Sequence, residues 1–150
     1  YPNLILMRTF SKIYGLAGLR IGYGIGHPEL VGALEKIRQP FNINAISQAG
    51  ALAALDDAKH VAKTQRINQR GLRFFKRACK QMQLEFVPSA ANFILIKVGD
   101  GARVFAEMQK RGVITRPMAG YQLGEGIRIS IGTTKENERC LEALRQALGR

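Results

Sequence analysis

The side chains best suited to do chemistry lie between Thr9 and Gly24, in the run TFSKIYGLAGLRIGYG. Lys12 follows a short apolar run and a serine, and Arg20 stands eight positions further on. Thr9 and Ser11 place hydroxyl donors beside the lysine. Gly15 and Gly18 let the backbone turn closely, and the planar fork of Arg20 suits a phosphate. The order Gly-x-x-x-x-Gly-Lys-Ser/Thr is missing, so this is no P-loop. Gly22, Gly24 and Gly26 do not have the spacing of a dinucleotide fingerprint. Residue types alone leave two readings open: a phosphate site, or a lysine and an arginine that face solvent.

A second candidate is Arg128. In Ile127–Ile131 the isoleucines share one face of a strand, so Arg128 and Ser130 point from the other. Metal chemistry finds no donors. Cys79 and Cys140 stand alone, His27 and His60 have no partner pattern, and a disulfide framework is excluded.

The elements that must position these groups follow from spacing. Leu4–Met7 and Ile21–Ile25 read as strands, the second with glycines where another backbone approaches closely. Pro28 opens a helix that ends before Pro40, and Ala45–Leu55 forms a small-residue helix. A long basic helix runs from Ala58 to about Gln83. Beyond it, strands are expected at Leu84–Val87, Phe93–Val98, Val113–Thr115 and Ile127–Ile131. Asp100 caps one helix, with Gly112 as its stop, and Thr133 with Glu136 forms a capping box for the last. Residues 84–150 make a compact α/β unit. The first 83 residues contain too little sheet for a layered domain, which implies a missing upstream part.

The length suits one domain, or one and a half small ones, of ordinary globular composition. No apolar run is long enough to span a membrane and no signal peptide is visible, so a reducing cytoplasm is the expected compartment. The net charge of +12 invites a nucleic-acid partner. Between Lys59 and Lys80, however, eight basic residues and no acidic one carry most of that excess. Lys59, Lys63, Arg66, Arg70, Arg73 and Arg77 recur at helical spacing, which describes a solvated helix face. Nucleic acid is therefore not the expected partner.

Ser11-Lys12 with the Gly-Leu-Ala-Gly-Leu-Arg20-x-Gly tail resembles the cofactor-lysine motif of the fold-type I aminotransferases of classes I and II. The likeness covers the whole chain. Pro40–Asn44, Ala91–Leu95 and the stretch from Arg116 to Thr133 are similar to the histidinol-phosphate branch of that family. The resemblance implies pyridoxal 5'-phosphate as cofactor, carried by Lys12, which would also shuttle a proton. Thr9, Ser11 and Arg20 would bind the cofactor phosphate. Arg128 would grip the substrate carboxylate or phosphate, Arg116 would assist with a phosphate dianion, and Asn92 would touch substrate. Tyr14, Tyr23 and Tyr121 are expected as packing or cleft-wall residues.

The same resemblance implies the C-terminal part of an α/β enzyme. Residues 1–57 would be a remnant of the large cofactor-binding domain, 58–83 a linking helix and 84–150 the small domain. Family groups that hold the cofactor ring precede the lysine, and only eleven residues do so here. The parent reaction would exchange an amino group between histidinol phosphate and 2-oxoglutarate, giving glutamate, in a homodimer. Other aminotransferases of the family, or a threonine-phosphate decarboxylase, would use the same lysine site. The 150-residue chain alone is expected to be inactive.

Overall fold

A computed structural model describes residues 1–149, in two units that divide after Gln65. In the first, β1 (Ile5–Thr9) pairs antiparallel with β2 (Gly22–Gly26), Ile5 opposite Gly26 and Thr9 opposite Gly22. Glycine is required on β2 because the strands approach so closely: a Cβ on Gly22 would lie 2.7 Å from the Arg8 carbonyl oxygen. Pro28 opens α1 (Pro28–Ile37), as its fixed φ favours. Asn44 caps α2 (Ala45–Asp56), accepting a hydrogen bond from the Ser47 amide at 2.8 Å.

Two strands cannot build a sheet layer of their own. Phe10 is buried between Tyr14 and Tyr23, with ring centroids 5.0 and 5.8 Å away, but Leu4, Leu6, Met7 and Ile25 remain exposed. The shortage of sheet expected for this half is what the structure contains.

Helix α3 (Ala58–Gln81) carries the boundary between the units. Its stripe Lys59, Lys63, Arg66, Arg70, Arg73 and Arg77 is exposed, while Leu72, Phe75, Ala78 and Cys79 are buried half a turn away. None of the six forms an ion pair among the described residues.

The second unit orders its strands β3 (Phe86–Val87), β4 (Phe93–Lys97), β6 (Gly126–Ser130) and β5 (Arg116–Pro117), each neighbour antiparallel. α3, α4 (Gly101–Lys110) and α5 (Thr134–Ala147) share one core with the sheet face bearing Ile94, Ile96, Ile127 and Ile129. Asp100 caps α4, accepting from the Arg103 amide at 3.0 Å, and the Thr133–Glu136 capping box opens α5 as expected. Gly71 lets α3 lie close to its neighbours, since a Cβ there would meet Ile131 Cγ2 at 2.3 Å.

Two strands begin later than the apolar pattern predicts, for one reason. The Gln83 and Leu84 amides close α3 by donating to the Lys80 and Cys79 carbonyls at 3.2 and 2.9 Å. The Gly112 and Val113 amides close α4 on Gln109 and Met108 at 2.9 and 3.0 Å. Both are Schellman closures, which commit to the helix end amides that a strand would need. Leu84 is thus excluded from β3, and no strand forms over Val113–Thr115; β5 starts at Arg116.

Candidate functional site

The turn between β1 and β2 is built from the Thr9–Gly24 motif. The Phe10 amide donates to the Ile21 carbonyl at 3.2 Å, and the Leu16 amide returns to the Phe10 carbonyl at 3.0 Å. Gly15 takes φ +72°, the left-handed region that glycine enters freely. Arg20 ends a single 3-10 turn at Ala17–Leu19, also left-handed with φ 50°, and its guanidinium donates to the Ala17 carbonyl at 2.8 Å. A left-handed arginine is costly for an L-residue, and here the turn's own hydrogen bonds hold it.

This folding brings Thr9, Ser11 and Arg20 to one cavity of about 420 Å³. Arg8 and Tyr23 line it too, and no carboxylate does. Thr9 Oγ1 accepts from the Ser11 amide at 3.1 Å, which ties the Thr9 hydroxyl to the backbone of the turn. Lys12 is exposed on the same turn, outside that lining, and its side chain makes no hydrogen bond or ion pair among the described residues. Sequence reasoning missed Arg8, because its place opposite Tyr23 depends on the register of β1 against β2, which no local signal in the sequence gives.

The second set lies on β4, β5 and β6. Arg116 stands directly opposite Arg128. Arg128 is half-buried, Arg116 exposed, and neither has a carboxylate partner among the described residues. As expected, Arg128 and Ser130 occupy the sheet face opposite the isoleucines. Asn92 is exposed and its side chain has no partner among the described residues; its carbonyl accepts from the Ile131 amide at 2.9 Å.

Phe93 was not singled out from the sequence, yet the Arg128 guanidinium carbon lies 4.9 Å from its ring centroid. An aromatic in an apolar strand looks like core, and only pairing on the open face distinguishes it. The thiols take no part. Burial pushes both Cys79 and Cys140 up to about 11, so neither is a ready nucleophile near neutral pH. Among the described residues no group of three metal-ligating side chains exists, and no helix is long and apolar enough to cross a membrane.

Histidinol-phosphate aminotransferase of Akkermansia muciniphila is 53% identical over 146 residues, which is 97% of this chain and 40% of that protein. Histidinol-phosphate aminotransferase 2 of Ralstonia nicotianae is 49% identical over 152 residues, covering 99% of this chain and 41% of that protein. The chain therefore spans about 40% of the length of the curated relatives it matches. The crystal structure of histidinol-phosphate aminotransferase from Sinorhizobium meliloti, in complex with pyridoxal-5'-phosphate, superposes with a TM-score of 0.87. That match has 33% identity and covers 99% of this chain and 42% of the other. The family described as aminotransferase class I and II matches residues 1–144, and with the lysine motif, the hydroxyl-lined turn and the shared fold this places the chain in the class I and II aminotransferases.

Proposed function

We propose that this chain is the C-terminal portion of a histidinol-phosphate aminotransferase, which exchanges an amino group between histidinol phosphate and 2-oxoglutarate. The observation that carries this reading is the 53% identity to such an enzyme over nearly the whole chain. The arginines facing each other across β5 and β6 support it, because two guanidinium groups without acid partners suit a phosphate dianion.

The residues present fit pyridoxal phosphate. The β1–β2 cavity offers two guanidinium groups, the Thr9 and Ser11 hydroxyls and the Tyr23 phenol, and no carboxylate to repel an anion. Thr9, Ser11 and Arg20 would hold the cofactor phosphate, and the Lys12 amine, free of other partners among the described residues, would carry the cofactor. When bound, the cofactor supplies an electron sink for the bond broken at the substrate α-carbon. Lys12 would then move the proton at that carbon, while Arg128 grips the substrate carboxylate or phosphate. Arg116 would share the phosphate, and Asn92 would border it.

The complete protein would act as a cytoplasmic homodimer. The exposed apolar side chains Leu4, Leu6, Met7 and Ile25 support the need for further protein around the first unit. The test is kinetic, on the complete protein that contains this chain. Turnover of histidinol phosphate with 2-oxoglutarate is expected, with Arg128→Ala raising KM for both substrates and leaving the cofactor bound. Turnover of other amino donors in preference to histidinol phosphate would overturn the substrate assignment.

A further inference from the structure

Arg128 is held in place by something other than an acid. Its Nε is buried and without a hydrogen-bond partner, and no carboxylate reaches its guanidinium among the described residues. The neighbour that does reach it is Phe93, with the guanidinium over the ring. The register explains how. Phe93 pairs with Ser130 and Leu95 with Arg128, so Phe93 and Arg128 are diagonal neighbours on the open face of the sheet. Long and aromatic side chains span that diagonal.

The backbone under Phe93 is pinned at three successive carbonyls. Asn68 Nδ2, from α3, donates to Ala91 at 3.1 Å; the Ile131 amide donates to Asn92 at 2.9 Å; Ser89 Oγ donates to Phe93 at 2.6 Å. Ser89 Oγ is itself fixed by the Ala91 amide at 3.1 Å. Of these bonds, only that from Asn68 comes from a helix.

We infer that Phe93 is a positioning residue for Arg128, with Asn68 setting the strand entry from which its ring projects. The inference rests on the reading of Arg128 as the group that grips the substrate anion. A guanidinium lying on an aromatic face keeps its in-plane N–H groups for a bidentate anion, whereas a carboxylate partner would occupy that fork. The ring thus fixes the plane of the fork without competing for it.

The experiment uses the 150-residue chain, with inorganic phosphate as the probe and the Arg128 side-chain N–H signals observed by NMR. In the unsubstituted chain the Arg128 Nε–H signal is expected upfield through the Phe93 ring current, and it should shift again as phosphate is added. Phe93→Leu should remove the upfield shift and weaken phosphate binding about threefold, while Phe93→Tyr should restore both. Asn68→Ala should reduce the upfield shift and weaken phosphate binding in the same direction. Arg128→Gln separates the two claims. If Arg128→Gln abolishes the phosphate response and Phe93→Leu leaves it unchanged, the positioning role is wrong and the Arg128 reading stands. If Arg128→Gln leaves phosphate binding intact, the reading of Arg128 itself falls, and the positioning role with it. Loss of binding in Phe93→Tyr equal to that in Phe93→Leu would also overturn the inference, because a ring would then be no better than an aliphatic chain.

Discussion

Arg116 and Arg128 face each other directly across the antiparallel pair of β5 and β6, two like charges with no acid between them. Like charges in opposite positions destabilise a sheet, and the exposure of Arg116 keeps the cost small. Arg116→Gln is expected to stabilise the chain by about 0.3 kcal/mol, seen as a higher urea midpoint, while phosphate binding weakens. A lower midpoint would mean that Arg116 has a stabilising partner the geometry does not show.

Lys12 is the amine expected to react with pyridoxal phosphate. Incubating the chain with the cofactor, reducing with borohydride and mapping peptides should place a single adduct on Lys12, which disappears in Lys12→Ala. Adducts scattered over exposed lysines such as Lys59 and Lys63 would remove the cofactor reading from this chain.

Gln83 closes α3 in the left-handed conformation, at φ 52°. Glycine occupies that position without the Cβ penalty. Gln83→Gly should stabilise the second unit by about 0.5–1 kcal/mol, read from urea unfolding. An unchanged or lower stability would show that the flexibility added to the unfolded chain outweighs the relief.

Gly101 shows the reverse case. A Cβ there would meet the Gly126 and Gly124 carbonyl oxygens at 2.4 and 2.8 Å, and both are backbone atoms that cannot swing aside. Gly101→Ala is therefore expected to cost about 2–3 kcal/mol, although alanine is the better helix former. Thermal melting of the variant checks this directly.

The acid side of the stability profile should carry a mark of Glu107. Hydrogen bonds from Lys110 and then Arg111 hold its carboxyl down at about 2, against an ordinary 4.5. A depressed carboxyl stabilises the fold above its unfolded value, and that contribution is lost as pH falls from about 4.5 toward 2. Glu107→Gln should flatten the stability profile over that window and leave the profile's shape at neutral pH unchanged. Urea midpoints taken between pH 2 and 7 make the comparison.

Much of the architecture was legible before any coordinates. The capping box at Thr133 and Glu136, the Asp100 cap and proline at the start of α1 are local signals, because each depends on side chains within three or four residues. The misplaced strand starts at Leu84 and Val113 were not legible in the same way. Both are apolar residues next to a strand-like run, but the preceding helix takes their amides first. The Gly112 stop was visible; the equivalent closure at Gln83 was hidden, since glutamine rarely marks a left-handed position.

The sequence by itself determined the chemical character of the chain: a lysine flanked by hydroxyl residues and an arginine, and an arginine on the open side of an isoleucine-lined strand. Those follow from residue type and from the two-residue alternation of a strand, which need no distant partner. Only the tertiary structure decided that Arg8 joins Thr9, Ser11 and Arg20 around one cavity, that Arg116 falls opposite Arg128, and that Phe93 lies beneath the Arg128 guanidinium. Each depends on the register between strands separated by loops of varying length, and a shift of one residue in its strand would turn Arg8, Arg116 or Phe93 to the other face.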